Sequence, residues 1–300
     1  MVRDSDYPIV PIPADAREDI EPLGSKPKFW VTLDGQRWLF KEARPNTGED
    51  WAEKVAAEFA KHIGMRAAEV ELATYVGTRG CISKNFIRTQ IGEALVHGNE
   101  VLAVNIKGYD KAKIAKQSDH TVHNIIAAVS RLGFGGGLAE PLLMRLAEYM
   151  VFDALIGNTD RHHENWGLNI RLGKDPRSFV MGVAPSFDHA SALGRECLDE
   201  RAAKLLAEDR VPQYVNAGRG GVYWEPLGNK GANPLALVKL AAGRYPNYFA
   251  PALAKVCKLT EDDARQMISR IPKNLASDVS KRLALAILVY SLSELKRIQT

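Results

Sequence analysis

The sequence predicts an α+β protein in two parts, a small antiparallel β N-lobe followed by a mainly α-helical C-lobe. Residues 29–87 alternate short β-branched and aromatic runs with one amphipathic helix, in the order β-β-α-β-β. From about residue 89 the apolar residues recur with helical spacing, except in the hairpin-like stretch 166–185. A chain of 300 residues also exceeds one small core, which favours one large domain or two lobes.

The composition is that of an ordinary soluble globular protein. Apolar residues make up 46% and charged residues 25% of the chain, and the net charge of +4 is too mild to imply a direct nucleic-acid partner or a membrane surface. No apolar run reaches the roughly 18 to 20 residues of a membrane span, and the N-terminus lacks the apolar core of a signal peptide. The three cysteines are far apart and fit reduced thiols, so we expect a cytoplasmic protein.

The N-terminal third is predicted to hold an arm and the β-lobe. The predicted domains are an extended proline-rich arm (1–22), the N-lobe (23–88), and a helical C-lobe with a catalytic hairpin (89–300). In the N-lobe the apolar stripe of Trp51, Val55, Phe59 and Ile63 predicts a helix over 49–63, which Gly64 ends. Strands are predicted at 29–33 and 37–40 around the turn Asp34-Gly35, and at 69–76 and 81–87 around a turn at 77–80.

The C-terminal two thirds is predicted to be helical around one hairpin. Helices are expected at 122–132, 140–155, 199–208, 235–242, 248–256, 261–270 and 275–297. The hairpin pairs 166–172 with 179–185 across a Gly-Lys-Asp-Pro turn. Two glycine-rich stretches, 133–137 and 218–221, are expected to be mobile loops, and the first lacks the Lys-Ser/Thr of a Walker loop.

The stretch LIGNTDRHHENWGLNI, residues 155–170, carries the densest group of chemically active side chains. Asp160 and Asn165 directly precede the first hairpin strand, and Asp188 follows the second. Because a hairpin returns the chain to its starting point, we expect these three side chains at the same end. Asn and Asp offer the oxygen ligands that magnesium prefers, and Asp160 can then accept a proton from an attacking hydroxyl. Arg161 and His162 are expected to steady the loop or a phosphate.

A second group belongs to the β-lobe. Lys41 ends the strand LFK, where apolar neighbours would bury its stem and leave the ammonium group to neutralise phosphates. A lysine in this role needs a carboxylate to position it, and the helix offers both Glu53 and Glu58. Ahead of the strand, the backbone of Gly24 and Ser25 can approach phosphate. This lobe, with Asp, Asn and Asp in the other lobe, has the plan of a two-lobed kinase.

The same residues are open to other interpretations. Singly, Asp160, Asn165 and Asp188 could be turn and cap residues, since Asp and Asn favour both places. The adjacent His162 and His163 suggest zinc, but their spacing is not HExxH and neighbouring histidines do not easily face one ion. His163 and Glu164 are therefore expected to be solvent-facing spacers.

The motifs resemble those of a known family. DRHHEN is similar to the catalytic loop of phosphatidylinositol kinases, and more of the chain resembles the HipA-like serine/threonine kinases, which share that atypical kinase fold. The matching stretches are IGNTDRHHENWGL with APSFDHAS, LGSKPK at the phosphate loop, and AEKVAAEFAKHIGM in the helix. HipA toxins also have an N-terminal subdomain, so the resemblance is to a compact stand-alone kinase or one part of a split system.

The resemblance implies ATP and Mg²⁺ as cofactors and transfer of the γ-phosphoryl group to a protein serine or threonine. It implies a protein substrate and, for a toxin, an antitoxin or repressor partner. A lipid or small-molecule kinase and a non-catalytic nucleotide-binding scaffold are the alternatives. By position the resemblance assigns Asp160 as the catalytic base, and Asn165 and Asp188 as the magnesium ligands. It places His162 near the phosphates and makes Lys41 the ATP lysine, with Glu53 as its partner. It also places Gly24 and a regulatory Ser25 in the phosphate loop, and Phe86 at the start of the adenine hinge.

Overall fold

Two compact units make up the structure, a computed structural model that describes residues 5–20, 27–132, 139–175, 178–226, 228 and 230–299. The first unit takes its residues from 1–85, 188–215 and 259–290, and the second from 86–187, 216–258 and 291–300. The division after Asn85 lies close to the predicted lobe boundary at 88. The first unit also contains 188–215 and 259–290, which the sequence prediction assigned to the C-lobe.

A six-stranded sheet forms the centre of the first unit. Its strands are β1 (Ile9–Ile12), β2 (Arg17–Ile20), β3 (Lys28–Leu33), β4 (Gln36–Glu42), β5 (Val70–Tyr75) and β6 (Thr78–Lys84), in the order β1-β5-β6-β4-β3-β2. The pairs among β3 to β6 are antiparallel, as predicted. Strand β2 also pairs with β3 in antiparallel fashion, whereas β1 pairs with β5 in parallel. The predicted arm is thus extended, but it supplies the sheet's two outermost strands.

Two tight turns set the sheet's register. Asp34 and Gly35 both have positive φ, 49° and 71°, which is the conformation that a two-residue hairpin turn requires. The same conformation recurs at Val76 and Gly77, with φ of 47° and 80°. The turn predicted at 77–80 is therefore shorter than expected, because Thr78 already begins β6.

The sheet buries apolar side chains against helix α1 (Glu49–His62), where Trp51, Val55 and Phe59 are at most 3% exposed. A separate apolar cluster on the sheet includes Phe29 and Phe40. The helix ends one residue before the prediction, and Gly64 follows in the left-handed conformation. The other helices with residues in this unit are α5 (Asp199–Ala207), α6 (Val211–Ala217), α9 (Glu261–Ser269) and α10 (Asp278–Gln299). The sequence did not predict α6.

The second unit is built on helix α4 (Ala139–Ile156), which is buried along most of its length. It also contains α2 (Gly98–Asn105), α3 (Val122–Leu132), α7 (Pro234–Arg244) and α8 (Pro246–Val256), together with a short 3₁₀ helix at Thr89–Ile91. Its sheet has the order β7-β8-β9, with β7 at Ala94–His97, β8 at Gly167–Leu172 and β9 at Phe179–Val183. The predicted hairpin is confirmed as β8 and β9, while β7 and α2 were not predicted.

Among the described helices, none combines the length and apolarity that crossing a membrane would require. Gly24, Ser25 and the glycine-rich stretch 133–137 lie outside the described residues.

Candidate active-site residues

A buried arginine fixes the loop that follows α4. Arg161, 4% exposed, donates from Nε to Asp153 Oδ2 at 2.7 Å and from Nη2 to Asp153 Oδ1 at 2.8 Å. Asn158 adds a third hydrogen bond to this carboxylate, 2.8 Å from Nδ2 to Oδ1. Since Asp153 lies on α4, these bonds tie the loop 160–165, called the catalytic loop after its predicted role, to the most buried helix of its unit.

The same guanidinium holds two more parts of the chain. Its Nη1 donates to the carbonyl of Asn165 and, at 3.2 Å, to that of Phe187, and its Nη2 donates to Ser186 Oγ at 3.0 Å. Arg161 therefore steadies the loop, one of the two roles that the sequence suggested. The segment after β9 is held beside the catalytic loop as far as Phe187, and Asp188 is the next residue in the chain.

The polar residues of the loop have different surroundings. Asp160 is exposed. Asn165 is 4% exposed, and its Nδ2 donates to the carbonyl of Asp160 at 2.7 Å, which leaves the side-chain oxygen Oδ1 available as an acceptor. His162 is half-buried, and its Nδ1 accepts the backbone N–H of Glu164 at 3.2 Å. The loop thus presents one exposed carboxylate and one oriented amide oxygen.

The prediction that His163 and Glu164 are solvent-facing spacers was wrong for His163. His163 is 1% exposed, and its Nδ1 lies 2.8 Å from the hydroxyl of Tyr109. Burial, and then the neighbouring His162, lowers the pKa of His163 to about 4. Glu164 is half-buried, with Oε1 3.4 Å from Asn99 Nδ2. Tyr109 and α2 thus support the loop from a segment that had shown no helix or strand pattern.

A second buried histidine lies beside the first. His120 is fully buried, accepts a hydrogen bond from Trp166 Nε1 at Nε2 (3.1 Å), and has Nδ1 2.8 Å from the carbonyl of Gly221. Since Nε2 accepts, Nδ1 carries the proton and donates to Gly221. Burial lowers the pKa of His120 to about 3, so the ring is neutral.

The stretch 218–221, expected to be a mobile loop, packs closely on the catalytic loop. A Cβ at Gly221 would lie 2.8 Å from backbone atoms of Arg161 and His162. Such a distance is too short for any side chain, so glycine is required here by the close approach of two backbones. The stretch 218–221 therefore packs directly against the backbone of the catalytic loop.

In the first unit, Lys41 has two carboxylate partners. Its Nζ lies 2.7 Å from Glu53 Oε1 and 3.2 Å from Asp188 Oδ1, and the lysine is 8% exposed. Burial alone would lower the pKa of Lys41, but Asp188 and Glu53 together raise it above its usual value. The lysine is therefore a cation. Glu58 instead pairs with Lys54 at 2.7 Å, so the structure selects Glu53 from the two candidates.

Strand pairing explains why Glu53, and not Glu58, is the partner of Lys41. Lys41 on β4 lies opposite Cys81 on β6, and the Cys81 thiol lies 3.7 Å from Glu53 Oε2. Burial, and then Glu53, raises the pKa of this thiol, so it stays protonated and can donate to the carboxylate. Both oxygens of Glu53, itself 1% exposed, thus have partners on the sheet.

Asp188 adopts an uncommon backbone conformation, with φ of 60°. Asp and Asn tolerate the left-handed region better than other non-glycine residues, but it still costs about 1 kcal/mol or more. The conformation accompanies the contact of its carboxylate with Lys41.

The predicted adenine hinge begins where the first unit ends. The ring of Phe86 stacks on that of Phe187, with centroids 5.7 Å apart. The following residues are braced by Glu93, which is 6% exposed and accepts hydrogen bonds from Arg88 and from Asn169 on β8. The sequence reasoning missed Glu93, which lies in a short stretch without clear periodicity.

Among the described side chains, no group of three or more His, Cys, Asp and Glu residues is arranged to hold a metal ion. The predicted magnesium ligands are one amide and one carboxylate, a set that would need water and phosphate oxygens to complete an octahedron. The geometry of Asn165, with Oδ1 left available by its own NH₂ group, fits this kind of ligand.

Comparisons with known proteins identify the type of fold. The family described as the HipA-like C-terminal domain matches residues 22–278. The proinflammatory kinase CtkA of Helicobacter pylori is 19% identical, with a TM-score of 0.78, over 97% of this chain and 98% of that one. HipA of Shewanella oneidensis MR-1, solved with HipB and operator DNA, is 14% identical, with a TM-score of 0.60, over 96% of this chain and 68% of that one. No curated protein sequence matches the chain. The predicted α+β, protein-kinase-like fold is confirmed.

Proposed function

The chain belongs to the HipA-like C-terminal domain family, and on that premise we propose that it is an ATP-dependent kinase that phosphorylates a serine or threonine of a protein. One observation carries the proposal most directly: buried Lys41 lies between the carboxylates of Glu53 and Asp188. A buried lysine with a dedicated carboxylate on a helix is the arrangement by which kinases present a fixed positive charge to nucleotide phosphates.

Each predicted nucleotide contact has a role in this proposal. Lys41 would neutralise the α- and β-phosphates, and Glu53 would keep its side chain in place. The backbone of Gly24 and Ser25 would approach the phosphates, and the segment that starts at Phe86 would bind adenine. The predicted regulatory role of Ser25 stays a prediction.

The catalytic loop supplies the acceptor chemistry. Asp160 is exposed, so a substrate hydroxyl can reach its carboxylate. In the proposed step the hydroxyl oxygen forms a bond to the γ-phosphorus, the bond from that phosphorus to the bridging oxygen of ADP breaks, and Asp160 takes the hydroxyl proton. His162 would contact the transferred phosphoryl group from the middle of the loop.

Magnesium would be held by Asn165 Oδ1 and the carboxylate of Asp188. When bound, the ion neutralises charge on the phosphate oxygens. Arg161 supports the proposal because it fixes the carbonyls of Asn165 and of Phe187, the residue before Asp188. One buried side chain thereby sets the backbone at or beside both ligands.

The decisive experiment is incubation of the full chain with γ-labelled ATP and Mg²⁺, alone and with cell lysate. We expect label on the protein itself or on lysate proteins, and a loss of at least about 100-fold in Asp160→Asn with nucleotide binding retained. Asp262→Asn, an exposed aspartate of α9, is the matched control and should behave as the parent.

Two outcomes would overturn the protein-kinase proposal. Intact nucleotide binding without label on any protein would favour the nucleotide-binding scaffold. Label in the lipid extract alone would favour the lipid-kinase alternative. Since the Shewanella HipA structure contains HipB and operator DNA, an antitoxin-like protein and DNA are the first partners to test for this chain.

A further inference from the structure

The segment of residues 107–116, between α2 and α3, carries a concentrated positive charge. It contains four lysines and a single acidic residue, Asp110. All four ammonium groups belong to exposed residues, and within the part of the chain that the structure describes none of them pairs with a carboxylate. The lysines are Lys107, Lys111, Lys113 and Lys116.

This lysine segment is anchored at several points. Tyr109 is 8% exposed, and its hydroxyl lies 2.8 Å from Nδ1 of His163 in the catalytic loop. Gln117, 4% exposed, donates from Nε2 to the carbonyl of Asp110, and the Asp110 carboxylate accepts the N–H of Ala112 at 3.0 Å. The only acidic side chain of the segment is thus used locally, and the positive charge is held on a defined backbone.

The segment is also adjacent to the catalytic loop through α2. Asn99 Nδ2 donates to the carbonyl of Lys111 at 3.2 Å and lies 3.4 Å from Glu164 Oε1. The Asn99 N–H donates to the carbonyl of His163 at 2.9 Å. A ligand on the lysine segment would therefore be close to the loop that carries Asp160.

We propose that the lysine segment is a docking surface for an acidic stretch of the protein substrate. This stretch would lie close in sequence to the serine or threonine whose hydroxyl proton Asp160 accepts. The inference rests on the proposed function and names the substrate class. Clustered surface charge of one sign selects a partner of the opposite sign and speeds its association. An acidic peptide fits better than a single-stranded nucleic acid, because the segment has no arginine and its one aromatic ring, Tyr109, is buried, whereas single-stranded nucleic acids use exposed aromatic and arginine planes.

The test uses two fluorescent peptides with one acceptor serine, flanked either by glutamates or by glutamines. Binding is measured by anisotropy without nucleotide, and phosphorylation is measured separately. The variant replaces the four lysines of the segment by glutamine. Its matched control carries the same change at four exposed lysines of the same unit, Lys174, Lys230, Lys239 and Lys258.

We expect the parent and the control variant to bind the glutamate peptide at least about tenfold more tightly than the segment variant does, with an advantage that shrinks at high salt. Equal binding by both variants would overturn the inference. It would also be overturned if the segment variant lost affinity for a single-stranded oligonucleotide and kept it for the peptide. Because binding is measured without nucleotide, a failure of phosphoryl transfer alone would count against the proposed function and leave the docking result readable.

Discussion

Arg161 binds the carboxylate of Asp153 through two parallel hydrogen bonds, and each side chain is only 5% exposed. The pair joins α4 to the catalytic loop. Removing one partner leaves a buried charge without compensation, which typically costs about 3 to 5 kcal/mol. We therefore expect Asp153→Asn to lower the free energy of unfolding by several kcal/mol, as measured by urea denaturation.

Glu261→Gln provides the comparison for that change. Glu261 pairs with Arg265 on the surface of α9, where both side chains are more than half exposed. Its loss should cost less than about 1 kcal/mol. Equal effects in the two variants would show that the Asp153 pair does not anchor the loop.

The two glutamates of α1 should differ sharply in their importance for phosphoryl transfer. Glu53→Gln removes the charged partner of Lys41, and hydrogen bonds between charged groups are worth enough to predict a loss of about tenfold or more. Glu58→Gln should have little effect, since Glu58 pairs with Lys54 and is partly exposed. Initial rates with γ-labelled ATP decide the matter. A larger loss of rate in Glu58→Gln than in Glu53→Gln would contradict the assignment of Glu53 as the partner of Lys41.

Asp188 should separate the effect of charge from that of backbone conformation. Asn and Ala both remove the carboxylate, so phosphoryl transfer should fall by at least about 100-fold in either variant if this carboxylate holds magnesium. Only Asn tolerates the positive φ well, so Asp188→Ala should be less stable than Asp188→Asn by about 1 kcal/mol. Thermal unfolding of the two variants measures the difference. Equal stability would mean that the backbone at 188 relaxes without cost.

Gly221 should influence catalysis through the position of the catalytic loop. In Gly221→Ala the new methyl group meets the backbone of Arg161 and His162, so the catalytic loop must shift. Small misplacements of catalytic groups reduce rates strongly, and we expect kcat to fall about tenfold or more. Gly182→Ala on β9 is the control, because its Cβ would meet open space. Unchanged kcat in Gly221→Ala would show that the loop tolerates the displacement.

Acid should destabilise the protein through its buried histidines. The pKa of His120 in the folded chain is about 3, below its ordinary value of 6.5. Between these two pH values the imidazole is protonated in the unfolded chain and neutral in the folded chain. The free energy of unfolding should therefore fall as the pH drops from about 6.5 towards 3, by up to about 1.4 kcal/mol per pH unit from this residue. His163 acts in the same direction down to about pH 4.

Denaturation at pH 7, 6 and 5 measures this slope. His120→Asn should flatten it by close to one proton, whereas Leu240→Asn, a change at an exposed residue of α7 without a titratable side chain, should leave it nearly unchanged. A slope that is the same in all three proteins would exclude His120 as its source.

Local sequence signals predicted much of this structure. The hairpin turn at Asp34-Gly35 and the apolar stripe of α1 are set by neighbours in the chain, and both were confirmed. The strands β1 and β2 were missed because each has only four residues and lies in a proline-rich stretch, too short to show an alternating apolar pattern. Their pairing also depends on strands that lie further along the chain. The choice of Glu53 over Glu58 likewise required the register of β4 on β6.

The error at His163 has a similar origin. Polar residues in a run of charged neighbours are usually solvated, and the residue that buries this histidine, Tyr109, lies 54 positions earlier in the chain. The loop 160–165 could be predicted as a candidate site because chemistry constrains the residue types and spacing of a phosphoryl-transfer loop. Its support comes from α2, from Asp153 and from 218–221, which carry no such signature.

The first unit is assembled from three separate stretches of chain, and this has a consequence for biosynthesis. Lys41 and Asp188 are 147 positions apart, and Tyr7 and Arg79 donate to the carbonyls of Arg270 and Leu275. A ribosome must therefore translate most of the message before the first strands can find their last partners. A product that ends before residue 188 would contain Lys41 and Glu53 without Asp188, so premature termination would yield a protein that lacks one of its proposed magnesium ligands.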